Sequence, residues 1–357
     1  MAYTSDLRVK NLIKSIHLDV IEDLTKLGVE NNLHLRIFDE SKEDSLPWEK
    51  GGLTFKDTRV DLTLGSNDAG WYIEKEGKIV PLVIVEGTFG TERGQFGDGQ
   101  LNRFSHALGP AINGCIGVLF CPFKGESFVK TPEEDFHFKI QYAHLRKDIV
   151  KAALKITKVE KGFYFTIDTY NPEILKDLVL NSYLENIGEK NTLNEIKTKI
   201  ITKMEKFVEG TKRGYSNQIL EKVYLENGTI SEKYTGRMFT HNIAALTTSQ
   251  KRDGHGLLGK NLIETYLIET EMLLCIFIRL SKENIDLLKT RRSKEFTYLL
   301  NNPMIKVLCF DDLLFDDADI KEKLSSLREE NLLMNSQKSF IKELKQLFEE
   351  GKIRIKE

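Results

Sequence analysis

The sequence predicts an α/β chain: a central mixed β-sheet flanked by helices, with large helical additions. Three observations predict it. Segments with a helical apolar period alternate with short strand-like runs over roughly the first 170 residues. Strand-like runs near 70–75 and 79–87 flank the polar turn Glu74-Lys75-Glu76-Gly77-Lys78, which reads as a bent hairpin. The stretch Cys115–Phe123 is largely apolar, as suits a strand buried on both faces.

The elements follow in order. Ser5 or Asp6 caps a first helix, whose apolar positions Val9, Leu12, Ile13, Ile16, Val20, Ile21, Leu24 and Leu27 keep a helical period. Gly28 suits its stop. Leu33–Phe38 alternates as a strand, and residues 39–57, acidic with Pro47 and Gly51-Gly52, read as a loop. Strands follow near 58–64, 70–75 and 79–87. Residues 87–99 are glycine-rich, and Asp98 can cap a helix over about 99–108. After the strand at Cys115–Phe123 come a helix at about 139–155 and a strand at Phe163–Ile167. Residues 172–210 are helical and rich in Lys and Glu, and 211–260 are polar. Met272–Ile278 and Lys306–Phe310 read as strands, and 318–350 as an amphipathic helical region before the basic stretch Lys352–Lys356. A boundary near 170 would divide a core, 1–170, from a helical and mixed region, 171–357, but no Pro/Ser/Gly linker marks it. One core with helical additions is the alternative.

Composition excludes several classes. At 40% apolar the 357-residue chain has material for a sizeable core. The net charge of −2 conceals 52 basic and 54 acidic residues, which argues against a purely electrostatic nucleic-acid binder. Cys115, Cys121, Cys275 and Cys309 lie in or beside apolar runs and form no Cys-x-x-Cys pair, so they read as buried reduced thiols of a cytoplasmic protein. The opening Met-Ala-Tyr-Thr-Ser-Asp lacks the pattern of a signal peptide, and no apolar run is long enough for a membrane span.

Two acids carry the first chemical hypothesis. Asp61 lies in Arg59-Val60-Asp61-Leu62-Thr63-Leu64, and Glu86 ends Val80-Pro81-Leu82-Val83-Ile84-Val85-Glu86. An acid at the end of a buried strand is costly without a compensating cation or donor. Two such acids brought together by a hairpin repel each other, and a divalent metal converts that repulsion into binding. A strand-end acid that serves only as a salt-bridge or cap residue is the plainer reading. Thr88, two residues past Glu86, shares its strand face and offers a hydroxyl. On the following helix Gln100 and Arg103 share a face, with Phe104 one turn beyond Gln100. Arg103 suits bidentate phosphate contact, while His106 reads as structural. The glycine loop lacks the Gly-Lys-Ser/Thr ending of a nucleotide-binding loop and the Gly-x-Gly-x-x-Gly spacing.

On these residues the chain resembles the PD-(D/E)xK nuclease superfamily, and within it type II restriction endonucleases of the EcoRI-like kind. The resemblance covers roughly residues 58–123. Asp61 matches the family's first acid and Glu86 its second, while Thr88 stands where the family has lysine. Gln100 with Phe104 is similar to the Gln-x-x-x-Tyr helix motif of the RecB-like branch. The resemblance implies a restriction-endonuclease-like core and a Mg2+ ion held by Asp61, Glu86 and the carbonyl of Gly87. Thr88, Lys78 or Arg103 would then assist the water or the phosphate, and Glu22 on the first helix is a candidate extra acid.

The resemblance also implies a surface that reads sequence, and residues 211–260 suit it. Lys212, Arg213, Asn217 and Gln218 combine phosphate-binding cations with side chains able to read base edges. Gln250, Lys251, Arg252, His255 and Lys260 do the same, although a solvated loop has a similar composition. The basic group Lys289, Arg291, Arg292 and Lys294 reads as solvated surface. The implied activity is Mg2+-dependent, site-specific hydrolysis of double-stranded DNA by a homodimer. A cognate DNA methyltransferase is a possible partner and a membrane is not. The rival expectations are a DNA-binding protein that keeps the nuclease fold without catalysis, and a repair or transposition nuclease without sequence preference.

Overall fold

A computed structural model describes residues 2–37, 67–88, 96–121, 132–167, 173–211, 221–222, 234–239, 259, 262–263, 265–267, 273–278, 298, 301–303, 305–329, 343, 346–347 and 350–356. The chain divides into two compact units, Met1–Tyr215 and Ser216–Glu357.

The first unit is built on five strands: β1 (Leu33–Ile37), β2 (Ala69–Lys75), β3 (Lys78–Gly87), β4 (Ile116–Phe120) and β5 (Phe163–Ile167). They lie side by side in sequence order. β1, β2 and β3 pair antiparallel, whereas β3–β4 and β4–β5 pair parallel, so the sheet is mixed as expected. Its helices are α1 (Ala2–Lys26), α2 (Phe96–Ile112), α3 (Pro132–Val159), α4 (Glu173–Asn186) and α5 (Leu193–Gly210). α4 and α5 lie beyond residue 170, yet α4 packs on α1 and β3, and α5 on α3 and α4.

Strand alternation shows which helices cover which face. Glu86 meets α2 through Arg103 and His106. The next residue, Gly87, turns the other way: a β-carbon there would come within 3.0 Å of a Val9 methyl of α1. α2 and α3 therefore cover one face, and α1 with α4 the other. α1 buries Val9, Ile13, Ile16, Val20 and Leu24 on a single stripe. It stops at Gly28, whose φ of +67° and N–H bond to the Thr25 carbonyl form the expected left-handed cap.

The β2–β3 hairpin turns on Glu76 and Gly77, with φ of +54° and +72°, as a two-residue hairpin loop demands. Lys75 pairs with Lys78 across it. Farther along, Tyr72 pairs with Pro81 but Trp71 pairs with Val83, so Leu82 is one residue extra in β3. Pro81 has no N–H to give a ladder, and this bulge beside it bends the hairpin.

Several boundaries move. α2 starts at Phe96, which puts Asp98 in its first turn rather than at its cap, and it runs on to Ile112 through Pro110. α3 is longer at both ends than 139–155. The strand expected near 58–64 and the loop at 39–57 lie outside the described residues.

The second unit holds a four-stranded sheet ordered β6 (Glu221–Lys222), β7 (Tyr234–Phe239), β8 (Leu273–Ile278), β9 (Ile305–Cys309). β6–β7 is antiparallel, and the other two pairings are parallel. The short strands β10 (Leu313–Phe315) and β11 (Ile353–Ile355) pair antiparallel, with α6 (Ala318–Glu329) between them in sequence. Part of the basic stretch Lys352–Lys356 is thus strand. Among the described residues no helix is long and apolar enough to cross a membrane.

Candidate functional site

Polar side chains collect at the carboxyl end of the parallel strands, on the face covered by α2 and α3. Glu86 comes from the end of β3 and is 5% exposed. Its Oε1 lies 3.1 Å from Arg103 Nε, and its Oε2 lies 3.3 Å from His106 Nδ1. Both partners come from α2, where spacing of three puts them on one face. Oε2 itself has no hydrogen-bond partner. Gln100, one turn earlier, is 0% exposed, and neither end of its amide has a hydrogen-bond partner. A buried, unbonded amide costs free energy, so such a group marks a place where a ligand or water would be welcome. Thr88 is buried too, and its N–H bonds the Phe120 carbonyl at 2.8 Å.

α2 sits this close because its neighbours are small. A β-carbon at Gly117 of β4 would fall 1.9 Å from the Ala107 carbonyl oxygen, so only glycine permits the contact. Tyr164 of β5 donates to the Phe104 carbonyl at 3.3 Å from below. Arg146 of α3 reaches the same end of the sheet and donates to the carbonyl and hydroxyl of Thr166. Cys121, fully buried just past β4, senses Arg103, Arg146, Glu86 and Asp68 together. Burial dominates and pushes its thiol up to about 12.

Asp68 is an acid that the sequence reading did not single out. Ala69 pairs with Val85, so the next position in register sets Asp68 opposite Glu86. Its N–H bonds the Val85 carbonyl at 3.1 Å, and its Oδ2 accepts from the Gly87 N–H at 2.8 Å. Its neighbour Asn67 donates through Nδ2 to the His106 carbonyl at 2.8 Å. That carbonyl is available because Pro110, four residues on in α2, has no N–H to bond it. Asn67 thereby ties the start of β2 to α2, and Asp68 to the vicinity of Glu86.

The sequence-derived residues separate into three groups. Glu86 meets Arg103, Gly87 and Thr88 follow Glu86 directly, and Gln100 lies one turn before Arg103 on α2. Lys78 does not join them: it begins β3 beside the turn, about 25 Å from Glu86 at a rise of ~3.3 Å per residue. A lysine side chain cannot span that distance. Glu22 is likewise removed, because it lies on the outer face of α1, 66% exposed and paired with Lys26 at 2.8 Å. Asp61 lies outside the described residues, as do Lys212, Arg213, Asn217, Gln218, Gln250, Lys251, Arg252, His255 and Lys260.

For a hard divalent cation the donor set at this end is oxygen-rich: the Glu86 and Asp68 carboxylates and the Gly87 carbonyl. The orphaned Glu86 Oε2 and Gln100 amide are the kind of groups such an ion and its water shell would satisfy, so the residues fit Mg2+. Among the described residues no group of three or more His, Cys, Asp or Glu is placed to hold a metal ion. Mg2+ rarely needs one, since it keeps several waters. No family model, curated protein or solved structure matches the chain.

Proposed function

We propose that the chain is a Mg2+-dependent endonuclease of double-stranded DNA, of the type II restriction class, built on a PD-(D/E)xK-like core. One observation carries the reading: a hairpin sets Asp68 against Glu86 at the carboxyl end of a mixed sheet, with the buried, unbonded Gln100 one turn before Arg103 on α2. Ligand sites of open α/β sheets lie at this end.

Asp68, Glu86 and the Gly87 carbonyl would hold the ion. When bound, it supplies positive charge to the scissile phosphate and acidifies water. Arg103 presents a guanidinium suited to two phosphate oxygens. The Gln100 amide, with one donor end and one acceptor end, orients a water or a phosphate oxygen. Thr88 adds a hydroxyl where the motif lysine would stand, and Arg103 carries the positive charge that Thr88 lacks. Recognition of base edges belongs in this reading to the polar segment 211–260, and cleavage of both strands to a two-fold dimer. A cytoplasmic restriction system with a cognate methyltransferase is the setting that follows.

The second reading is a DNA-binding protein that keeps this core without catalysis. It is favoured by Thr88 and by the two α2 side chains, Arg103 and His106, already against Glu86. Incubation of the purified chain with mixed plasmid and phage DNA, in Mg2+ or EDTA and beside Glu86→Gln, separates them. Discrete Mg2+-dependent bands lost in the variant are expected. A smear lost in the variant indicates a nuclease without sequence preference. Duplex binding with no cleavage by a folded protein overturns the catalytic reading.

A further inference from the structure

We infer that Arg103 and His106 hold Glu86 closed to metal until duplex phosphate draws Arg103 away, so that divalent-cation binding and duplex binding reinforce each other. The inference rests on the proposed metal site and adds its regulation. Three observations carry it.

Both carboxylate oxygens of Glu86 already face α2 nitrogens, at 3.1 Å from Arg103 and 3.3 Å from His106. The carboxylate is almost wholly buried, where unlike charges attract more strongly than in water and like charges repel more strongly. A dication arriving at Glu86 meets the Arg103 guanidinium at short range, and that repulsion lowers its affinity. The third observation is the difference in exposure along the pair: the Arg103 side chain is 27% exposed, whereas Glu86 is 6%. Arg103 thus reaches solvent, and a duplex phosphate can compete for it without unfolding the site. A phosphate offers Arg103 two oxygens in the fork geometry that guanidinium favours. Its departure removes the guanidinium from the Glu86 carboxylate and leaves only His106 against it beside Asp68, which lowers the barrier to a dication. Thermodynamic linkage then requires the ion to tighten duplex binding by the same factor as the duplex tightens the ion.

The test counts bound Mn2+ from the paramagnetic resonance signal of the free ion, so cleavage does not enter the readout. Full-length protein is titrated alone and with a short random-sequence duplex. The expected result is weak Mn2+ binding alone and at least about tenfold tighter binding with duplex, a coupling of ~1.4 kcal/mol. Arg103→Gln, checked for folding by tryptophan fluorescence, should bind Mn2+ tightly without duplex and gain little from it. His106→Asn should move the same way by a smaller factor. If wild type binds Mn2+ equally with and without duplex, and Glu86→Gln abolishes that binding, the metal site stands and the closed state is wrong. If no Mn2+ binds in either condition, the metal reading itself fails, and this inference with it.

Discussion

Asn67→Ala tests how the site is held together. Asn67 Nδ2 donates to the His106 carbonyl at 2.8 Å, a bond that exists because Pro110 cannot make it. Removing the amide leaves a helix-interior carbonyl without a donor, which costs about 1–3 kcal/mol. Part of that is offset, because Asn67 Oδ1 is itself buried without a partner and disappears in the same substitution. The net loss should be ~1–2 kcal/mol. In a Pro110→Ala background residue 110 regains an N–H that bonds the His106 carbonyl, and Asn67→Ala should then cost about 1 kcal/mol less. Urea unfolding followed by tryptophan fluorescence measures it, since Trp71 is fully buried in the first unit. Equal costs of Asn67→Ala in the two backgrounds would refute the argument that proline vacates the carbonyl and asparagine fills it.

Other consequences are simpler. Gly117→Ala drives a methyl group into the Ala107 carbonyl and must push α2 off β4; a loss of about 3 kcal/mol or more by urea unfolding is expected. Burial, then the nearby His34, lowers the His17 pKa below 6.5. The unfolded chain therefore takes up a proton that the folded chain resists, and stability falls as pH drops below about 6.5 and recovers above it. His17→Gln should flatten that fall in unfolding midpoints measured between about pH 7 and 5. Burial pushes the thiols of Cys115 and Cys121 up to about 12, so mass-mapped alkylation at neutral pH should label both only after denaturant is added.

Much of the first unit was legible because its signals are local. The stripe of α1, the stop at Gly28, the turn at Glu76-Gly77 and the apolar β4 each lie within one short window. Glu86, Gly87, Thr88, Gln100 and Arg103 were found together because strand end, loop and helix follow one another in sequence. Asp68 was not singled out because its place beside Glu86 depends on register, a relation between two strands. Folding the chain about Glu76-Gly77 puts Glu86 opposite residue 67, or opposite Asp68 once the extra residue at Leu82 is counted. The turn alone brings the count within one residue of Asp68, and the bulge supplies the rest. Lys78 fails by the same count, since it sits at the turn. The run of α2 past Pro110 was hidden for another reason. A proline in a helix argues for a stop unless some other donor takes the vacated carbonyl, and Asn67 lies more than thirty residues earlier in the chain.

The most direct test of the account sets the two candidate acids against each other. Asp61→Asn, Asp68→Asn and Glu86→Gln are compared in Mg2+-dependent cleavage of phage DNA, with Mn2+ binding in the presence of duplex measured alongside. The account predicts that Asp68→Asn and Glu86→Gln each lose cleavage by at least about a hundredfold and lose the bound ion, while Asp61→Asn keeps both. Loss of cleavage and of the ion in Asp61→Asn, with Asp68→Asn unaffected, would contradict it.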